Sequence, residues 1–190
     1  MKIFSIIFIL LLSLQSLIKA DDIRDFEIEG ISIGDSALEF FNKSEIKGKQ
    51  YPKSNKFSRA TILIDSESYD YIQFHFKTKD ISFEIFGISG QKIYKKNINE
   101  CYSNLEVISD ELSEIFFDIE KKPYSKKHAW DTTGKSTNKG DNFYFPDGSY
   151  INIACYDWSN EVEKENNFVD NLRVTIIENE LANWLRDEAY

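Results

Sequence analysis

Residues 142–158 read Asn-Phe-Tyr-Phe-Pro-Asp-Gly-Ser-Tyr-Ile-Asn-Ile-Ala-Cys-Tyr-Asp-Trp, and their alternation decides what the rest of the chain must build. Pro146-Asp147-Gly148 is a turn signal, because proline presets φ and glycine accepts a positive one. Folding about it sets Tyr144 opposite Tyr150 and Asn142 opposite Asn152 on one face, with Phe143 against Ile151 on the other. One face is polar and ring-bearing, and the other is apolar. Ile153 and Cys155 continue the apolar face, while Tyr156 and Trp158 continue the polar one.

The apolar face needs a cover, and the chain supplies one from Asn97 onward. Ile98, Cys101, Leu105, Ile108, Leu112 and Ile115 recur at spacings of three and four, which predicts an amphipathic helix. Asn97 and Glu100 form a variant capping box at its start, and Lys121-Lys122-Pro123 is read as its end. Cys101 lies in the helix stripe and Cys155 on the strand's apolar face, so both sulfurs point to one interface. They are either a disulfide pair or two buried thiols.

Other segments extend the pattern in both directions. Residues 60–65, 71–76 and 81–86 are β-rich, and Lys77-Thr78-Lys79-Asp80 reads as a four-residue hairpin loop setting Phe76 opposite Ile81. That register faces His75 with Ser82, places Glu84 beside them and puts Ile72, Phe74 and Phe76 on the core side. Ser89-Gly90 reads as a turn before a short strand at 91–94. Asp35 or Ser36 caps a short helix near 36–41, and Ser44 to Gly48 predicts a second. Residues 159–169 read as a polar acidic loop, 172–177 as a strand, and Leu181, Trp184 and Leu185 as one side of a final helix. The order predicts an α+β fold: an antiparallel sheet with a short N-terminal helix pair and one long central helix packed on one face.

The first twenty residues have a basic start at Lys2, an apolar centre and a small residue at Ala20, the pattern of a cleavable signal peptide. The apolar run is shorter than the ~20 residues a bilayer requires. Residues 21–190 are then expected as a single α+β domain, periplasmic or secreted, with no membrane span after cleavage. The net charge is −9, and removing Lys2 and Lys19 leaves 21 basic against 32 acidic residues, or −11. That balance argues against nucleic-acid binding.

Several motifs tempt a sharper reading. Ala129 to Ser136 fits a loose phosphate-binding loop ending Gly134-Lys135-Ser136, but such a loop needs a buried strand before it and a helix after it, and the sequence here runs into a hairpin. His75 with Ser82 and Glu84 has residue types suited to general-base work, although polar strand faces supply such neighbours by chance. The acidic runs at 65–70 and 161–170 lack the spacing of a calcium loop, and no metal or cofactor is expected. The feature of greatest functional weight is the polar sheet face carrying Tyr71, His75, Tyr144, Tyr150, Tyr156 and Trp158, since tyrosine and tryptophan are enriched at recognition sites.

At Gly30-Ile31-Ser32-Ile33-Gly34-Asp35-Ser36 and Cys155-Tyr156-Asp157-Trp158-Ser159 the chain resembles a group of short exported bacterial proteins with no assigned activity. That resemblance carries no catalytic residues across. The architecture is also similar to β-lactamase-inhibitor-like and outer-membrane-assembly-lipoprotein domains, whose free sheet face implies protein binding, though their internal repeat and lipid-anchor cysteine are missing here. The expected function is a binding or protein-interaction module whose partner is another exported or envelope protein. The alternatives are a small hydrolase using His75 or His128 with carboxylates, and a small-ligand carrier.

Overall fold

The alternation in the β-rich runs is taken up by one sheet. The structure is a computed structural model and describes residues 22–95, 97–129 and 131–190; the signal-peptide expectation for 1–20 lies outside them. The described elements, in order, are β1 (Glu27–Ile28), β2 (Ile31–Ser32), β3 (Lys49–Gln50), β4 (Phe57–Leu63), β5 (Tyr71–Lys77), β6 (Gly87–Ile93), α1 (Ile98–Ile115), β7 (Glu120–Lys127), β8 (Thr137–Tyr144), β9 (Tyr150–Asp157), α2 (Asn160–Asn166), β10 (Asn171–Ile177) and α3 (Asn179–Asp187). Strands β3 to β10 form one antiparallel sheet in the order β3-β4-β5-β6-β10-β9-β8-β7. Two meanders, β3 to β6 and β7 to β10, therefore meet where β10 pairs with β6.

The β8–β9 hairpin has the register its sequence predicts, with Phe143 opposite Ile151 and Tyr144 opposite Tyr150. Helix α1 buries Cys101, Leu105, Ser109 and Leu112 against β9 and β10. The two sulfurs lie at disulfide distance, 2.01 Å apart. A second attachment is polar: Ser109 Oγ donates to the buried Asp141 carboxylate on β8. The other half of this face is covered by the N-terminal segment, whose Ile28, Ile31, Ile33 and Ala37 join Ile72, Phe74 and Ile88 in the core.

Several local expectations give way to identifiable forces. Residues 81–86 form no strand beside β5, although Phe86 N donates to His75 O; β5 pairs instead with β4 and with β6, where His75 lies opposite Gly87. The Asp80 carboxylate accepts from Ser82 N, Ser82 Oγ and Glu84 N at 3.0, 2.7 and 2.7 Å, folding the segment into a local turn. Phe83 takes a positive φ of 54° there and turns its ring onto Phe76. Ser89-Gly90 is inside a strand, because a Cβ on Gly90 would lie 2.6 Å from the Tyr69 ring and one on Gly87 2.6 Å from Leu181. Of the expected N-terminal helix pair, the first is a 3₁₀ turn at Ala37–Glu39 capped by Ser36 and the second, at Ser44 to Gly48, does not form, because Glu45 accepts from Asn42 N and Nδ2 and holds 42–45 as a turn. A further 3₁₀ turn lies at Ile23–Asp25, in the start read as extended. Lys121-Lys122-Pro123 lies in the exposed edge strand β7, a place that tolerates proline's missing donor, and Asn97 makes no side-chain cap.

The helices also divide between the two faces. Helix α3 packs on the face opposite α1, burying Leu181 and Trp184 against Phe57, Phe86 and Ile177. Trp184 Nε1 donates to Ser54 Oγ at 3.0 Å.

The cysteine pair closes a span of 54 residues, for which chain entropy predicts about 4 kcal/mol of stabilisation. Denaturant unfolding of the Cys101→Ala/Cys155→Ala variant should show a stability loss of that order, matched by the parent chain under reductant. A midpoint unchanged by either treatment would show that the link contributes nothing.

Candidate functional site

On the sheet face away from α1, the strand registers bring together the ring positions named from sequence. Tyr71, His75, Tyr144, Tyr150 and Tyr156 all point to it, with Gln73, Asn142 and Asn152. Trp158 follows β9 directly and continues the row, its ring stacked on Tyr156 at 6.2 Å.

Helix α3 removes one end of this face from solvent. His75 is 5% exposed, and its Nε2 meets the Tyr51 hydroxyl at 2.6 Å. Burial, aided by the Arg59 and Arg173 charges, pushes His75 down to about 4, while burial pushes Tyr51 up to about 12. The imidazole is therefore neutral at physiological pH and serves the packing beneath α3, which removes it from the candidate binding surface. Tyr150 is half-buried and packs against the same cluster. The His75, Ser82 and Glu84 trio does not assemble: Ser82 and Glu84 belong to the Asp80 turn, and Glu84 bridges to Ser36.

The remainder, formed by β7 to β10, is arranged around rings and amides. Tyr144 is 38% exposed and lies 5.9 Å from Tyr150, with Lys122 Nζ 5.2 Å above its ring. Lys126 Nζ sits 5.1 Å over Tyr124, and the Arg173 guanidinium 4.9 Å over Tyr156. Between them Asn152 Nδ2 donates to the Tyr124 hydroxyl at 3.0 Å and to Asn142 Oδ1 at 2.9 Å, and Tyr124 donates to Asn138 Oδ1 at 3.1 Å. At the far end Trp158 packs against His128 at 4.3 Å and Phe168 at 4.7 Å. Each ring is thus fixed by a neighbour before any ligand arrives.

Sequence reading missed the part of this face that comes from β7 and β10. Lys122, Tyr124 and Lys126 alternate at period two, a strand signal hidden by reading Pro123 as a helix stop, and Arg173 is placed only by the long-range β10 pairing.

Trp130 of the 129–136 segment lies outside the described residues, and among the described ones, between β7 and β8, no phosphate cradle forms. The Asp131 carboxylate accepts from Thr133 N and Oγ1, from Ser136 N and Oγ, and from Ser159 Oγ. Those bonds, from Ser136 above all, hold it well below the ordinary carboxylate range. The amides an anion would need are already bonded to a carboxylate, and a strand follows where a helix would have to start. Among the described residues, no group of three or more His, Cys, Asp or Glu is placed to hold a metal ion. Two open concavities, one at Lys56, Lys77 and Asp80 and one at Arg24, Asp147 and Glu178, are lined by other residues.

Comparison with family models, with curated proteins and with solved structures finds no match to this chain.

The burial of His75 makes a signed prediction. Its folded value lies below the ordinary 6.5, so the unfolded chain takes the proton first. Its contribution to stability is complete above pH 6.5 and is lost as pH falls toward 4. Between pH 7 and 4.5 the denaturation midpoint of the parent should therefore fall more steeply than that of His75→Gln. Parallel slopes would show that His75 does not titrate in this way.

Proposed function

We propose that this protein is a binding module working outside the cytoplasm, and that the β7 to β10 face is its recognition surface. The observation that carries the reading is the fixed ring array: Tyr144 and Tyr156 stand on rigid strands with their cationic and aromatic neighbours already in place. Rigid aromatic and arginine side chains lose little conformational entropy on binding and dominate recognition energies. Export is supported by the signal-like start and by a cysteine pair of a kind that persists in oxidising compartments. Among the described residues, no helix is long and apolar enough to cross a membrane.

Photo-crosslinking in the native host tests this reading. A crosslinker at Tyr144 should give adducts that one at the buried Ile151 does not, and Tyr156→Ala/Arg173→Ala should remove most of them while leaving the circular dichroism spectrum intact. Absence of adducts from Tyr144, or equal yields from both positions, would defeat the proposal.

A further inference from the structure

The charge distribution of this face is opposite to that of the chain. Against a net charge of −9, the outward positions of β7 to β10 carry Lys122, Lys126 and Arg173 and a single acid, Glu120, which pairs with Lys122 at 3.1 Å. The other acidic residues of these strands, Asp141 and Asp157, turn to the α1 face, where they accept from Ser109 and Tyr102. Among the described residues neither Lys126 nor Arg173 forms an ion pair; both are held over tyrosine rings. An anionic ligand therefore meets on this face a net positive charge that the chain as a whole does not carry.

Spacing and floor chemistry narrow the class. Lys122 and Lys126 are four residues apart on one strand, about 13 Å, and Arg173 lies three strands away, about 14 Å across the sheet. Such charges cannot converge on one small anion, but they match charges repeated along a polymer. The outward positions of β7 to β9 include no Val, Ile, Leu, Met or Phe, so the dry apolar centre of a protein interface is missing. They hold instead tyrosine rings, whose faces suit the C–H face of a sugar, and asparagine amides suited to hydroxyls.

We propose that the ligand of this face is an anionic polysaccharide, its rings stacked on Tyr144 and Tyr156, its hydroxyls met by Asn142 and Asn152, and its acid groups by Lys126 and Arg173. This rests on the binding-module reading and names its ligand.

The test is binding of the purified chain to immobilised polygalacturonate, alginate, hyaluronate and chondroitin sulfate, with dextran, poly-glutamate and poly-deoxythymidine as controls. Binding to at least one acidic polysaccharide should exceed binding to dextran, poly-glutamate and the oligonucleotide by tenfold or more and should weaken with salt. Tyr144→Ala and Tyr156→Ala should each cost about tenfold. Lys126→Gln/Arg173→Gln should weaken binding and flatten its salt dependence. No binding to any acidic polysaccharide overturns the proposal, as does equal or tighter binding to poly-glutamate, to the oligonucleotide or to dextran. If it fails while Tyr144 still gives site-dependent crosslinks, the face serves another ligand and the binding-module reading stands; if the crosslinks also vanish, both fall.

Discussion

The rest of the molecule depends on the pairing of β10 with β6. Seven residue pairs, from Asn171 with Ile93 to Ile177 with Gly87, join two meanders that are otherwise separate in sequence. On its other edge β10 pairs with β9, so the last strand of the chain is the centre of the sheet. Its inward side chains, Leu172, Val174 and Ile176, complete the core beneath α1 and the N-terminal segment, while Arg173 and Thr175 join the outer face. Both layers require this contact, and among the described strand pairs it is the one most distant in sequence, an arrangement that slows folding relative to local pairing.

What the sequence made legible was local. The hairpin around Pro146-Asp147-Gly148 could be registered residue by residue, because turn and alternation agree within 17 residues. Helix α1 was legible for the same reason, since its period is long and unbroken, and so was the meeting of Cys101 with Cys155. The losses have causes that alternation does not express, most of them distant in sequence. Ser89-Gly90 reads as a turn, but Gly90 sits in a strand where the Tyr69 ring presses against it. Residues 81–86 have strand composition, yet the Asp80 carboxylate captures their amides. Nothing in the pattern of 181–185 states which face of the sheet α3 will cover, and that choice removes His75 from the surface.

The candidate face followed the same division. Its β8 and β9 members came directly from alternation, whereas Lys122, Tyr124, Lys126 and Arg173 entered through strands whose neighbours are distant in sequence. The structure also changed the chemistry ascribed to this surface. Burial makes His75 part of the packing, and the burial of carboxylates on the α1 side leaves the ring-bearing side cationic within an acidic protein. One strand pattern with period two thus separates a face whose carboxylates are bonded in the structure from an exposed face with a single acid.

Strand β7 carries a further consequence. It is the outermost strand, its free backbone edge exposed along its length, and lysines with a proline are how natural sheets discourage another strand from adding there. Lys122 and Lys126 project from this same edge onto the ring-bearing face. The cationic character of the face and the protection of the sheet edge are therefore written in the same side chains. Drift of these lysines toward neutral, β-prone residues would open the edge to strand addition, so protection of the edge by itself favours a cationic face.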